Sequence, residues 1–403
     1  MAKSPSTGTF PCKNAMKSKM LMAGWALVLL VFASAAQAAD GACDAPVGKD
    51  FTSAPPSQVA LSSTRLGSML DALDDSKLEV RALLVLRDCK LSLERYKDGL
   101  SRQYNHSMWS VTKSFSSTLV GALLYQEKLK SVDIPIADLV PQPSRINDSD
   151  WVKARQITLK NVMQMSSGLN YQHDPCCHPI YDPLNDRLAY ALSPSFAAPP
   201  GTRFNYSDAD VSMTGAVIAA VAGDDLLSFG KATLFEPLQM SNYDWMFKDR
   251  TGRYPGGWGL RVRPMDMLKL GQLYVQQGEW NGKRIFDASY VQEATQPGPN
   301  KSYGLHWWIG DAKFAGTPYF YASGFKGQRI FVFPAWHVVV ALAASVDDER
   351  ALVGIVVRGV IDAVAKGADA DTESDVALQK KEAAGFHGSI QARQANQDAP
   401  RRF

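Results

Sequence analysis

Strand-like segments at both ends of a long helical stretch constrain most strongly how this chain can fold. Residues 80–87 are mostly apolar, as in a buried strand, and residues 91–96 alternate, so with a turn at Asp88 and Cys89 they predict a β-hairpin. Four short β-like runs follow much later at hairpin spacing, at residues 303–309, 319–323, 328–333 and 337–344. We therefore predict an α+β protein in which N- and C-terminal strands close one antiparallel β-sheet flanked by helices, with a mostly helical insertion at about residues 130–250.

Apolar periodicity and end signals predict the helices. Thr158 is a candidate N-cap, Pro264 opens a helix, and Gly223 follows the end of another, as is common at helix termini. The predicted helices are residues 65–73, 113–128, 157–165, 208–222, 264–277 and 352–365.

The pattern S-x-x-K, formed by Ser110 and Lys113, opens the second of these helices. Side chains three residues apart share a helix face, so the hydroxyl and the amine lie within reach of each other. A serine hydroxyl is a weak nucleophile that needs a neighbouring base, and a partly desolvated lysine can supply one. Backbone N–H donors at a helix N-terminus would also stabilise an oxyanion. Taken alone the pattern is loose, since most instances are an N-cap serine followed by a surface lysine.

Residues 1–38 have the three-part composition of a secretory signal peptide. Three lysines precede an apolar stretch at residues 21–32, and Ala36-Gln37-Ala38 offers a small-residue cleavage site. The apolar run is short for a membrane span, which favours cleavage after Ala38 over an uncleaved anchor. We therefore predict an exported protein, periplasmic or secreted, without stable membrane insertion once the leader is removed.

The positive charge of the chain resides in this leader. Residues 1–39 contain four lysines and no acid, and the rest of the chain has 39 basic and 40 acidic side chains. No stripe of basic residues interleaved with aromatics is visible, so nucleic-acid binding is not predicted.

Export permits disulfides, and four cysteines follow the leader: Cys43, Cys89, Cys176 and Cys177. Three pairings are open, and we favour Cys43–Cys89 with a vicinal bridge because adjacent cysteines cannot easily both reach distant partners. His173 and His178 flank the adjacent pair, but the spacing matches no structural zinc pattern. A structured or disulfide-tied loop is therefore preferred to a metal site, and neither metal nor cofactor is predicted.

Polar segments flank the predicted domain. Residues 39–64 form a proline- and serine-containing lead-in, and residues 366–403 are polar and aperiodic. The second segment is predicted to be a disordered tail, which leaves residues 65–365 as the folded domain.

Several motifs in order make the chain similar to a known family. They are S-V-T-K-S at 110–114, M-S-S-G-L at 165–169, F-N-Y-S-D at 204–208 and Y-A-S-G-F-K-G-Q at 321–328. Over about residues 65–365 the chain resembles the serine β-lactamase and penicillin-recognising superfamily. The resemblance is to its class C-like branch, which includes family VIII carboxylesterases and aminohexanoate-dimer hydrolases. It implies a β-lactamase/transpeptidase-like fold.

The resemblance also implies roles for individual residues. Ser110 would attack a carbonyl and form an acyl-enzyme, Lys113 would hold or take its proton, and Tyr206 would relay protons to the leaving group. The backbone N–H groups of Ser110 and Phe325 would form the oxyanion hole. Without this context Tyr206 is interpreted as a packing tyrosine.

Two positions depart from the family pattern. Ser323 and its neighbours read A-S-G where the family carries K-T-G, so the lysine that helps hold a substrate carboxylate is missing. Lys326 could replace it only if its side chain turns inward. Asp208 stands where the family has asparagine, and an acid there would disfavour an anionic substrate and could bind an amine. Both changes favour an esterase or amidase over an efficient β-lactamase.

Four residues are predicted to contact the substrate: Tyr171, Asp208, Ser323 and Lys326. Tyr171 falls where the aminohexanoate-dimer hydrolases place a substrate-contacting tyrosine, although a core aromatic fits that position nearly as well. Three tryptophans could line an apolar acyl pocket or belong to the core, namely Trp258, Trp307 and Trp308.

Three functional hypotheses follow. The favoured one is an exported serine hydrolase that cleaves a small-molecule ester or amide through an acyl-enzyme on Ser110. The second keeps the fold and changes the substrate, giving a β-lactamase or a D-alanyl carboxypeptidase. The third is a non-catalytic ligand-binding sensor with the same fold, which the intact set of Ser110, Lys113 and Tyr206 disfavours.

Overall fold

The N-terminal hairpin and the C-terminal strands share one sheet. The computed structural model describes residues 50–172, 178–388 and 401–402. Its strands are β1 (Val80–Arg87), β2 (Lys90–Tyr96), β3 (Tyr104–Ser107), β4 (Asp244–Trp245), β5 (Leu260–Val262), β6 (Glu279–Trp280), β7 (Lys283–Arg284), β8 (Trp308–Ile309), β9 (Phe320–Gly324), β10 (Gln328–Phe333), β11 (Val338–Ala344) and β12 (Arg401–Arg402). The main sheet has the order β2-β1-β11-β10-β9-β8, and all its neighbouring strands are antiparallel. The predicted closure of the sheet by strands from both ends is confirmed.

Helices cover both faces of this sheet and fill the stretch between its two groups of strands. They are α1 (Ser63–Ser76), α2 (Thr112–Tyr125), α3 (Ile136–Leu139), α4 (Asp148–Trp151), α5 (Leu159–Met163), α6 (Arg187–Leu192), α7 (Asp208–Ala222), α8 (Leu226–Gly230), α9 (Pro264–Val275), α10 (Ala288–Ala294), α11 (Ala312–Ala315), α12 (Glu349–Lys366) and α13 (Glu373–Ala384). Short turns of tighter helix include Trp109–Val111 and Pro179–Tyr181. The predicted α+β class is confirmed.

The apolar run at residues 82–86 of β1 reflects burial on both faces of the sheet. Leu83 and Val85 belong to the core that α1 and α12 cover, whereas Leu84 and Leu86 belong to the larger core that contains α2 and α9. Successive side chains of a strand point to opposite faces, so consecutive apolar residues fit the part of a strand that is covered on both sides.

The central helices α2 and α7 are buried almost all round. Hydrogen-bonded hydroxyl side chains help make this possible: Ser114 Oγ donates to the carbonyl of His306 at 2.8 Å, and Ser116 Oγ donates to that of Gly256 at 2.6 Å. Ser207 caps α7 by accepting from the N–H of Asp210 at 3.1 Å. The N-terminal ends of α2 and α7 lie beside each other, and their polar side chains are in contact there.

The predicted strand at residues 303–309 is largely wrong, since only Trp308 and Ile309 form β8. His306 has a φ of 60°, which is a left-handed conformation incompatible with an extended strand. Its ring is buried and contacts Thr214 Oγ1 at 3.0 Å, so tertiary contacts hold the local bend.

The predicted disordered tail is also wrong for the part of residues 366–403 that forms α13. Leu378 is buried, and the buried Asp375 carboxylate accepts hydrogen bonds from the hydroxyls of Ser57 and Ser63. The N–H of Phe386 donates to the carbonyl of Tyr96 at 2.9 Å. Because these contacts join segments about 300 residues apart in sequence, local periodicity could not reveal them.

Several predictions concern residues that lie outside the described ranges. The predicted signal peptide and Cys43 do so, as do Cys176 and Cys177. Cys89, which lies within those ranges, is disulfide-bonded. Among the described helices none has by itself the length and apolarity to cross a membrane. One pair, Asp208–Ala222 with Leu226–Phe235, reaches them only together across a bend of 73°.

Candidate active site

Ser110 lies in a short helical turn that leads into α2. Trp109 directly before it has a φ of 47°, so the chain kinks immediately ahead of the serine. Strand β9 ends against this segment, and a Cβ atom built on Gly324 would lie 2.3 Å from the carbonyl oxygen of Met108. The ring of Phe325, the next residue, packs edge-to-face on Trp109 at 5.5 Å. The two predicted oxyanion-hole residues, Ser110 and Phe325, therefore belong to neighbouring segments.

Lys113 is buried on the first turn of α2 and is directed at three oxygen atoms. Its ammonium Nζ donates to Ser110 Oγ at 2.8 Å, to Asp208 Oδ1 at 2.9 Å and to the carbonyl of Gly257 at 3.3 Å. The contact between hydroxyl and amine that the S-x-x-K spacing predicts is present.

Tyr206 comes to the same place from the segment before α7. Its ring centroid lies 4.9 Å from Lys113 Nζ, and its ring stacks on that of Trp308 with centroids 6.0 Å apart. The three predicted catalytic side chains are thus brought together from separate parts of the chain. Their catalytic roles stay a prediction.

Asp208 lies inside this cluster and is itself buried. One carboxylate oxygen accepts from Lys113, and the other accepts from the phenol of Tyr181. Both carboxylate oxygens therefore have protein donors, so Asp208 connects Lys113 to Tyr181 in addition to its predicted role in substrate binding.

Electrostatics favour the charged form of Lys113. Burial alone would lower the pKa of this ammonium, but the charge and hydrogen bond of Asp208, with a contribution from Tyr206, outweigh it and raise the pKa above its usual value. Lys113 is therefore protonated at neutral pH. Burial and the nearby charge of Asp208 raise the pKa of Tyr181, so its phenol keeps its proton and donates.

Tyr171 lies beside this cluster without an exposed surface of its own. Its ring packs on that of His178 with centroids 4.6 Å apart, and Asn205 Nδ2 donates to its backbone carbonyl at 2.9 Å. Burial and the charge of Asp208 raise the pKa of its phenol. A cavity of about 210 Å³ runs along residues 168–172.

The other two predicted substrate contacts lie at the end of the sheet. Ser323 faces a cleft of about 300 Å³ that Trp308 and Tyr321 also line. Lys326 instead pairs its ammonium with Asp347, and Nζ lies 5.0 Å from the centroid of the Phe325 ring. Lys326 does not turn inward in this structure, as it would have to in order to replace the missing K-T-G lysine.

The three tryptophans have different environments. Trp307 is fully buried and donates its ring N–H to Tyr274 Oη at 3.0 Å, so it belongs to the core. Trp258 packs edge-to-face on Tyr181 at 5.1 Å, and Trp308 is half-buried beside Tyr206.

Sequence reasoning missed Tyr181. In the sequence it lies within the proline-containing residues 170–200, where no apolar periodicity singles out one tyrosine among several. Its contact with Asp208 depends on the fold, and no signal in the sequence indicates it.

Comparison with known proteins identifies the family. The Beta-lactamase family model matches residues 81–353, which is well over half of the chain. The chain belongs to this family. The resemblance that the motifs indicate is therefore confirmed.

Relatives of known structure or curated name agree with this assignment. The chain is 21% identical to the 6-aminohexanoate-dimer hydrolase of Paenarthrobacter ureafaciens over 315 residues, covering 71% of this chain and 77% of that protein. A Bacillus anthracis structure that carries the same hydrolase name has a TM-score of 0.62 at 22% identity, covering 78% of this chain and 87% of that one. An octameric penicillin-binding protein homologue from Pyrococcus abyssi has a TM-score of 0.57 at 18% identity, covering 73% and 77%. These structural likenesses show the shared fold, and the family match with its hydrolase relatives confirms the prediction of a hydrolase related to the β-lactamases.

Proposed function

We propose that this protein is an exported serine hydrolase that cleaves a small ester or amide through an acyl-enzyme on Ser110. The observation that carries the proposal is the 2.8 Å contact between Ser110 Oγ and Lys113 Nζ, with the ring of Tyr206 beside the same ammonium. A hydroxyl nucleophile needs a neighbouring cation or base to activate it, and here it has a lysine ammonium in contact and a phenol that can relay protons beside that ammonium.

The first half of the reaction forms the acyl-enzyme. Ser110 Oγ bonds to the substrate carbonyl carbon and gives its proton to Oη of Tyr206, while the phenolic proton of Tyr206 moves on to the leaving group. Lys113 cannot take the serine proton because it already carries a full complement of protons. The backbone N–H groups of Ser110 and Phe325 stabilise the negative charge that develops on the carbonyl oxygen. The bond to the leaving alcohol or amine breaks, and that group departs with the proton received from Tyr206, which ends the step as a neutral phenol.

The second half regenerates the serine. A water molecule adds its oxygen to the acyl carbon, and one of its protons passes through Tyr206 to Ser110 Oγ as the acyl bond breaks. The products are a carboxylic acid and the alcohol or amine released earlier, so no redox partner is needed.

The substrate class follows from the departures described above. Ala322 occupies the position of the K-T-G lysine, and the nearby Lys326 is paired with Asp347. These features disfavour the anionic β-lactam of the second hypothesis and support an uncharged ester or amide. Hydrolase relatives named for 6-aminohexanoate dimer are consistent with amide cleavage. Export is proposed from the signal-like leader, and the disulfide at Cys89 supports it.

Substitution of the nucleophile tests the proposal. Ser110→Ala is expected to abolish turnover of a p-nitrophenyl ester while leaving the far-UV circular dichroism unchanged, and a serine-directed phosphonate is expected to label the native protein at Ser110. Ser68→Ala, at an exposed position of α1, is the matched control and should keep native rates. Native turnover in Ser110→Ala, or an adduct mapped to another residue, would exclude the mechanism.

A further inference from the structure

Asp208 links the candidate lysine to a second tyrosine. Lys113 Nζ lies 2.9 Å from Asp208 Oδ1, and the phenol of Tyr181 donates to the other oxygen of the same carboxylate. Asp208 and Lys113 are only 4% and 2% exposed, so water competes little for these contacts. Hydrogen bonds to a buried charge are stronger than those in water, and they fix the geometry of the groups they join.

Tyr181 is held in place by its own surroundings. Its ring packs edge-to-face on Trp258 at 5.1 Å, and Arg187 Nε donates to the carbonyl of the preceding Ile180 at 3.1 Å. The guanidinium of Arg187 also lies 5.5 Å from the Trp258 ring. The turn Pro179–Tyr181 is therefore anchored to the core on both sides of the phenol.

The carboxylate gives this site a charge that an asparagine would not. The resemblance to the class C-like branch implies a neutral amide at position 208, which could accept from Lys113 without balancing its charge. With a carboxylate instead, the buried ammonium has a full countercharge, and Tyr181 stabilises that countercharge from the far side.

We infer that Tyr181 is a further positioning residue of this site, acting through Asp208 to hold Lys113 as an ammonium aimed at Ser110. The inference rests on the proposed function. Because the ammonium donates to Ser110 Oγ, the serine's own proton is left to face Tyr206, and the positive charge lies beside the oxygen that becomes the nucleophile. Lys113 then serves as an electrostatic partner of the nucleophile, and Tyr206 exchanges the proton.

Other titratable groups face this pair from every packed element. They are Tyr171, Tyr181, Tyr206, Asp210, Tyr303 and His306. Burial, with the charge of Lys113, lowers the pKa of His306 to about 3, and burial raises the pKa of Asp210 to about 7. The charge of Asp208 contributes to the raised pKa values of Tyr171, Tyr181, Asp210 and Tyr303, so these also change in a position-208 variant. The readout assigned to Lys113 is therefore a loss of labelling rate with rising pH, which is the change expected when its positive charge beside Ser110 disappears.

The test measures how fast a p-nitrophenyl alkylphosphonate labels Ser110 from about pH 6 to about pH 10. This range brackets the pKa expected for a buried lysine that has lost its countercharge. Labelling forms the bond between Ser110 Oγ and phosphorus and releases p-nitrophenolate, so the natural substrate need not be known. The variants are Asp208→Asn and Tyr181→Phe, with Tyr125→Phe, an exposed tyrosine at the end of α2, as control.

In Asp208→Asn, Lys113 is expected to give up its proton within this pH range, which it does not do in the wild type. The labelling rate of the variant should therefore fall as the pH rises. Tyr181→Phe is expected to label about tenfold more slowly, the loss of one hydrogen bond to a charged group. With a p-nitrophenyl ester this loss should appear in kcat and not in KM. Tyr181→Phe keeps the ion pair, so it decides the question if Asp208→Asn fails to fold.

Two results would overturn the inference while leaving the proposed function intact. One is a rate in Asp208→Asn that rises as Lys113 loses its proton, since the amine would then be the productive form. The other is labelling of Ser110 in Tyr181→Phe at the wild-type rate and with the wild-type pH profile, whatever Asp208→Asn does. A wild-type protein that is never labelled at Ser110 would overturn the proposed function, and this inference with it.

Discussion

Gly324 is the residue that lets strand β9 pass against the chain carrying the candidate nucleophile. Its φ of −130° is ordinary for any amino acid, so backbone conformation does not demand glycine. The contact demands it: a Cβ would lie 2.3 Å from Met108 O and 3.2 Å from Val111 N. These are backbone atoms that cannot rotate away. The glycine of the A-S-G motif therefore has a steric role that is separate from the missing lysine.

Gly324→Ala should therefore push β9 away from residues 108–111. We expect it to destabilise the fold by about 1–3 kcal/mol, the usual cost of forcing atoms into a packed site, and to lower ester turnover. Gly354→Ala is the matched control, because that glycine is exposed in α12 with nothing within 4 Å of an added Cβ. The control should gain about 0.5–1 kcal/mol from helix propensity. Urea unfolding and ester assays measure both variants, and equal stabilities would contradict the steric account.

Helix α13 shows how an element with weak local signals becomes ordered through its partners. It packs against α1. Leu378 is buried and anchors the helix, whereas Val376 is 49% exposed. Lys381 pairs with Asp71 on α1, and Asp375 accepts from two serines of the N-terminal region. A short helix gains most of its stability from packing of this kind and little from propensity.

Loss of the anchor should loosen α13 without disturbing the candidate site. Leu378→Ala is expected to cost about 2 kcal/mol of unfolding free energy, at the low end for a buried leucine because α13 lies at the periphery. Val376→Ala, on the exposed face of the same helix, should change stability by less than about 0.5 kcal/mol. Urea unfolding of both variants provides the measurement. Similar values for the two would mean that α13 is not docked as the structure shows.

Buried carboxyl groups couple the stability of the entire protein to pH. Burial raises the pKa of Asp210 to about 7 even though Ser167 donates to it through its N–H at 3.2 Å and its Oγ at 2.6 Å. This carboxyl ties α7 to the segment that leads to Tyr171. Burial likewise raises the pKa of Glu382 in α13 to about 7.

Stability should fall as the pH rises from about 4 to about 7. In that window the folded protein retains a proton on Asp210, whose ordinary pKa is 3.8, and the unfolded chain has released it. Asp210→Asn should flatten this dependence, and Glu382→Gln should remove the second contribution of the same sign. Unfolding free energies measured in urea at about pH 5 and about pH 7 give the slope. An unchanged slope in Asp210→Asn would show that Asp210 does not titrate there.

Much of the fold could be predicted because its signals are local. A few consecutive residues are enough to indicate each of three features: the apolar run of β1, the S-x-x-K turn of α2 and the glycine at the end of α7. The order of the motifs then indicated that Ser110, Lys113 and Tyr206 would meet, and the structure brings them together. Where periodicity was weak, as in α13, or interrupted by a left-handed residue, as at His306, the predictions were wrong.

The electrostatic state of the candidate site could be decided only by the folded chain. Position 208 is visibly an acid in the sequence, but whether its carboxylate faces a substrate, a lysine or a tyrosine depends on which distant segments pack around it. The structure pairs Asp208 with Lys113 and Tyr181, and it pairs Lys326 with Asp347. The type of a residue determines which chemistry it can perform. Its charge state and the direction of its side chain depend on burial and on its partners, and these arise only when segments far apart in sequence come into contact.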